Sequence, residues 1–314
     1  MATRPAGDPP WSESSALFAH AGLQGVLPAA LRNFAALVPS IPPDAGLAKA
    51  LADARAQFAG AAGFALLLSH HGDRLLAALH GRGLRAFIVK GPIFARRIYP
   101  DAALRGFTDI DILVHPADRA EAGRTLAAQG FLREEIAYRA GADYAEDKWL
   151  LAGQPNVMIE LHTNLVHNPR LRQALHLDYD AVLQSGGGDP EDANALLLIA
   201  AVHGSCSHQF DRLQHLTDVL LLGRGAAGRI DIPRLRNVAD RCRARFALAA
   251  GLVIAAAVFA DANCARLAQA LADPLRRAAA RALIGRDVVL ESQTAKRGRN
   301  SWRRKALRQL LRFA

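Results

Sequence analysis

The sequence predicts an α+β protein, a small mixed sheet with its own helices embedded in a mostly helical chain. Two stretches of Ala/Leu-rich helical periodicity, before residue 81 and after residue 178, flank a run of short β-branched segments between Leu84 and Leu165. Nothing repeats at a fixed period, which argues against a solenoid. At 314 residues the chain is long enough to bury a large core. The expected organisation is a helical region over 1–80, an α/β core over 81–166, a second helical region over 167–290 and a basic tail over 291–314.

Residues 1–15 read as a loose leader, and helical periodicity then runs to Leu37. Pro39-Ser-Ile-Pro-Pro43 interrupts it, after which Asp44 caps a long helix to His70 and a further helical stretch covers Asp73 to Gly81. Arg85 to Lys90 predicts a short buried strand closed by Gly91, with Pro92 opening a helix through Tyr99. After a loop holding Arg105-Gly106, Asp109 to Val114 predicts a second strand, and Pro116 to Gln129 a helix with Gly130 as its C′ residue. Strands around Lys148–Ala152 and Val157–Leu165, joined by a Gly-Gln-Pro-Asn turn, predict a hairpin. Beyond Asp178 helices are expected at Asp192–His203, Leu213–Leu222, Ile232–Arg243, Phe246–Phe259 and Pro274–Gly285.

The formal charge is +10, but it is unevenly placed: the last 24 residues carry a net +7 and the other 290 only +3. Overall basicity is therefore no argument for nucleic acid at the core. The tail interleaves Lys296, Arg297, Arg299, Arg303, Arg304, Lys305, Arg308 and Arg312 with Trp302, Leu307, Leu310, Leu311 and Phe313. Three readings stand for it: a basic amphipathic helix on an anionic membrane, an arm on nucleic-acid phosphates through residues 296–312, or a solvated terminus. The three cysteines, Cys206, Cys242 and Cys264, have no pairing parity and no C-x-x-C, so they support neither a disulfide framework nor a zinc knuckle. No secretory signal opens the chain, and the longest apolar run, Phe246 to Ala260, is short of a bilayer span. The expected setting is cytoplasmic, or membrane-peripheral if the tail binds lipid.

Asp109-Ile-Asp111 is the most informative motif. Residues two apart on a strand face the same side, so both carboxylates can converge on one divalent cation or a close pair. Edge strands also carry such pairs as solvated aspartates, so the surroundings decide. Upstream, Lys90 and the Gly91 turn bring a cation and a helix start to a strand end, where a phosphate can sit. Downstream, Ile159-Glu160-Leu161-His162 places Glu160 and His162 on one strand face, and a third acid on a neighbouring strand is what a two-metal phosphoryl-transfer site requires. Lys90 also reads as a solvated end-of-strand cation or a structural partner of Asp109, Arg105 equally as a phosphate ligand or a partner of Asp109 or Asp111, and His162 first as a hydrogen-bonded structural residue. His203, at the end of an apolar helix, reads first as a packing residue or a supporting neighbour of the site, and His203, His208 and His215, with Cys206, have spacings of five and seven that match no metal-ligand signature.

The residues Val89-Lys90-Gly91, Tyr99-Pro100, Leu104-Arg105, Thr108 to Val114, Gly130-Phe131, Ile159 to His162, His203-Gly204 and Asp218 resemble, in order and spacing, an uncharacterised bacterial nucleotidyltransferase family of the polymerase-beta-like superfamily. The resemblance covers about residues 50–225 and implies a minimal nucleotidyltransferase fold. It implies that Asp109 and Asp111 hold Mg²⁺ or Mn²⁺ and that Glu160 is the third acid. It further implies that Lys90 and the Gly91 turn contact an NTP, with Arg105 kept beside them as a candidate phosphate ligand, and that the nucleoside monophosphate is transferred to an acceptor hydroxyl with release of pyrophosphate. Pro92 departs from the superfamily's Gly-Gly or Gly-Ser pattern and removes a hydroxyl and a backbone donor. The alternative is a nucleotidyltransferase fold kept as a binding or scaffold module, with the tail contacting membrane or RNA.

Overall fold

The structure is a computed structural model that describes residues 14–37, 45–135, 144–290 and 301–313. The expected leader before residue 14, the Pro-rich break at 39–43 and the Asp44 cap lie outside these residues. Helices α1 (Ser14–Leu23) and α2 (Leu27–Leu37) pack on the first half of α3 (Ala45–His80), around a small core that includes Phe18, Leu31, Leu47 and Leu51. The break expected after His70 does not occur, and α3 runs through it. Leu68, Leu75 and Leu79 continue one buried stripe across the junction. Gly72 sits inside this helix because a Cβ there would lie 3.2 Å from Ile88 Cδ1 and 3.4 Å from Ile110 Cγ2. The glycine lets α3 lie close against the sheet, at a helix-propensity cost of about 1 kcal/mol relative to alanine.

The sheet has five strands, β1 (Ala86–Val89), β2 (Ile110–Val114), β3 (Phe131–Arg133), β4 (Glu146–Leu151) and β5 (Gln154–His162), in the order β1-β2-β5-β4-β3. Only β2 and β5 run parallel, and the other neighbours are antiparallel. This is the small mixed sheet the sequence predicts. Three details differ from expectation. Asp109 lies at a bend just ahead of β2, and β3 is an additional short strand. The hairpin turns at Ala152-Gly153, with Gly153 at φ 78°, so Gln154 to Asn156 belong to β5. Pro155 is tolerated there because β2 pairs only with Ile159 to His162, leaving that end of β5 bonded on one side. Helices α4 (Gly91–Ile98) and α5 (Arg119–Ala128) follow β1 and β2.

The C-terminal part comprises α6 (Pro169–Arg172), α7 (Tyr179–Ser185), α8 (Ala193–Val202), α9 (Leu213–Gly223), α10 (Ile232–Arg241), α11 (Arg245–Phe259), α12 (Ala262–Leu271), α13 (Pro274–Leu283), α14 (Arg286–Val289) and α15 (Ser301–Phe313). The Ala-rich α11 is buried from Phe246 to Ala255, packed among α8, α9, α12 and α13. Among the described residues no helix is long and apolar enough to cross a membrane. One continuous core joins α3, the sheet and these helices. It includes Leu307 and Leu311 of α15, while Trp302 and Leu310 of the same helix stay exposed. Arg303 pairs with Asp287 at 3.0 Å, Arg304 donates to the Val288 carbonyl, and Arg308 donates to Gln209 Oε1 at 3.1 Å. Residues 301–313 are therefore a docked helix rather than a solvated terminus, and Lys296, Arg297 and Arg299 lie outside the described residues.

Candidate active site

Strand register builds the site. Asp111 is the Cα partner of Glu160 across the parallel β2/β5 pair, and Lys148 of β4 is the partner of Glu160 on its other side. One step further, His162 is paired with Glu146. Side chains at paired positions share a face, so acidic and basic groups form a polar face while Ile110, Ile112, Ile159 and Leu161 turn to the other side. Asp109, Asp111, Glu160, Lys90 and Lys148 line a cavity of about 640 Å³, closed by Gln57, Phe58 and Phe64 of α3 and by His203, His208 and His215.

Lys90 is buried at the start of α4 with φ 57°, a strained backbone for a residue bearing a Cβ. Its ammonium lies 2.5 Å from Asp111 Oδ1 and 3.4 Å from His203 Nδ1. The same Asp111 oxygen is 2.8 Å from Nε2 of the fully buried His162, which is 3.6 Å from Glu160 Oε2. Burial opposes ionisation of Asp111, but Lys90 and His162 outweigh it and hold the carboxyl well below the usual range. Lys90 is held above the usual lysine range, because Asp111, Glu160 and Asp109 overcome the opposing effect of burial. Asp109 goes the other way: burial, then the charges of Asp111 and Glu160, push it up to about 7. Lys148 Nζ lies 3.2 Å from Glu160 Oε1. Three carboxylates thus face two ammonium groups, and Asp109 is the one left with its charge unfavourably placed.

Arg105 lines the cavity, but neither expected partner, Asp109 or Asp111, pairs with it. Its Nε and Nη2 each donate at 2.9 Å to Asp218 of α9, and Tyr99 donates to the same carboxylate at 2.8 Å. With Nη1 3.4 Å from the Gly91 carbonyl and the guanidinium 5.1 Å from the Phe94 ring centre, Arg105 clamps α4 to α9. Gly91, at φ 23°, is packed so that a Cβ would lie 3.5 Å from Phe107 and from the Asp109 carbonyl. Pro92 stands in the first turn of α4, which therefore has one backbone donor fewer to offer a phosphate. Glu146, Lys148 and the α3 residues were not among the expected site residues. Glu146 and Lys148 do show the strand alternation, yet only the pairing of β4 with β5 brings them beside His162 and Glu160.

Among the described residues, three groups of side chains have ligand atoms close enough to hold a metal ion: Asp111, Glu160 and His162; Glu146, His162 and His167; and His203, His208 and His215. The first lies on the carboxylate face, with His162 rather than Asp109 as its third member. Residues 8–260 match the profile of a family described as uncharacterised nucleotidyltransferase. No protein of curated function matches the sequence. The α+β fold with its small mixed sheet and the match over most of the chain together show that this protein belongs to the uncharacterised nucleotidyltransferase family, and so among the transferases.

Proposed function

We propose that the protein is a metal-dependent nucleotidyltransferase that moves a nucleoside monophosphate from an NTP to an acceptor hydroxyl, releasing pyrophosphate. The observation that carries this reading is the pairing of Asp111 with Glu160 across parallel strands, with Asp109 two residues ahead, on the wall of a cavity of about 640 Å³. Such a volume suits a nucleotide-sized ligand. Three carboxylates are the hard oxygen donors that Mg²⁺ or Mn²⁺ takes, and the raised pKa of Asp109 marks negative charge that a cation would offset. When bound there, the ion neutralises triphosphate charge and acidifies the acceptor hydroxyl.

The chain's own residues do the rest. His162 and Lys90 hold the Asp111 carboxylate in place through one oxygen. Lys90, at the start of α4, supplies a point charge for phosphate where Pro92 has removed a backbone donor. Glu160, its Oε1 fixed by Lys148, orients the acceptor hydroxyl and receives its proton as the new O–P bond forms at the α-phosphorus and the bond to pyrophosphate breaks. Arg105 acts at one remove, keeping Gly91 and α4 in position.

One observation favours a binding or scaffold module instead: the Lys90–Asp111 pair at 2.5 Å already neutralises Asp111 with an ammonium. A thermal-shift screen of the four ribonucleoside triphosphates, each with Mg²⁺ or Mn²⁺, separates the readings. A transferase shows a shift that needs both nucleotide and metal and disappears in Asp111→Asn, whereas a scaffold shows no nucleotide-dependent shift.

A further inference from the structure

The three histidines whose sequence spacing matches no ligand pattern meet in space. His203 ends α8, His208 follows the π-helical turn at His203–Ser207, and His215 lies in the first turn of α9. Their ring centroids are 4.7, 5.3 and 4.2 Å apart, and their candidate ligand atoms lie within 4.8 Å of one another. Imidazoles bound at ~2.1 Å around one ion keep their nitrogens roughly 3.4 Å apart, so the rings need to close by about an ångström. His208, one-third exposed on a loop, is free to make that adjustment.

The surroundings favour an ion over simple packing. His215 is more than nine-tenths buried, lines the cavity, and has no hydrogen-bond partner on either ring nitrogen. A neutral imidazole has a ring lone pair to give to an ion. Asp211 Oδ1 stands 3.6 Å from His208 Nδ1 and 3.8 Å from His215 Nε2, in position to orient a liganding ring. The turn is shaped for this arrangement. A Cβ on Gly204 would lie 2.6 Å from Phe210 Cε1, and Gln209 and Phe210 both hold left-handed backbone, with φ 48° and 53°.

We propose that His203, His208 and His215 form a second metal site, for a borderline transition-metal ion of the Zn²⁺ class, with an open coordination position toward the cavity. Three neutral imidazoles select such an ion over Mg²⁺, which prefers the carboxylates. The site is linked to the carboxylate face through Lys90. Its ammonium approaches His203 Nδ1, leaving Nε2 for the ion. An ion at Nε2 keeps a proton on Nδ1 and so leaves Lys90 to Asp111 alone.

The test is a Co²⁺ titration of the chelator-stripped full chain, followed by the visible d–d band and by displacement with Zn²⁺. The expected result is a band that saturates at one equivalent, is retained in Asp111→Asn and weakens in affinity by about tenfold or more in His208→Ala and His215→Gln. His208→Ala, at a partly exposed position, decides the matter if His215→Gln fails to fold. The proposal is overturned by the lack of a saturating band in the wild type, by a band that survives His208→Ala unchanged, or by one lost in Asp111→Asn. The readout is spectroscopic and requires no nucleotide, so its failure leaves the transferase reading standing, and the reverse also holds.

Discussion

At Asp111 a single carboxylate oxygen meets both Lys90 and His162, while Asp109, two residues away, has its pKa pushed up to about 7. Between about pH 4 and 7 the folded protein therefore holds a proton at Asp109 that the unfolded chain, at the ordinary carboxylate value of 3.8, has already released. Stability contributed at low pH is lost as pH rises from about 4 through about 7. Asp109→Asn does not titrate, so in chelator it should melt higher than wild type at pH 8, by on the order of 2 kcal/mol, with the gap closing toward pH 5. Paired melts across that range check this, and a variant less stable at pH 8 would contradict it. The acids were legible in the sequence because strand alternation fixes which residues share a face. The partner of Arg105 was not, since Asp218 is 113 positions away and on a helix. The histidine cluster was likewise hidden, because its meeting depends on a π-helical turn and two left-handed residues that carry no spacing signature.

Among the elements, α3 and α15 carry the most direct expectations. Gly72 is where α3 meets the sheet, and Gly72→Leu should overpack Ile88 and Ile110 and lower stability by about 2–3 kcal/mol in urea unfolding. An unchanged midpoint would show that the helix can retreat. Gly72 lies in the gap between the two helical stretches expected to end at His70 and begin at Asp73, and it serves close packing within one continuous helix. Leu307 is fully buried although it lies in the basic tail, and Leu307→Ala should cost about 2–4 kcal/mol by the same measurement. A loss below 0.5 kcal/mol, the scale of a surface change, would mean that α15 is not docked in solution. Composition alone showed the amphipathic pattern of the tail but not which partner covers it. The added helix α12 was obscured for a related reason: Ala260, at φ 52°, ends α11 and Asp261 caps α12 within one unbroken Ala-rich texture.

On the scale of the whole molecule, the cavity draws together residues far apart in the chain: helix α3, the polar face of the sheet, and the turn between α8 and α9. The α+β class and the strand segments were legible because short β-branched runs stand out against Ala/Leu helices. The closing of the cavity by N-terminal and C-terminal elements was not, because it rests on contacts between residues far apart in the chain. The charge pattern fits this architecture, with most of the +10 carried by the tail and a nearly balanced body around the carboxylates. The central claim is that Asp109, Asp111 and Glu160 together hold the metal–nucleotide complex. Calorimetric titration of Mn²⁺ with each of the four ribonucleoside triphosphates into wild type, Asp111→Asn and Glu160→Gln tests it most directly. The account predicts metal-dependent nucleotide binding in the wild type that weakens at least tenfold in both variants while their folds persist. Binding of equal strength in all three proteins would contradict it.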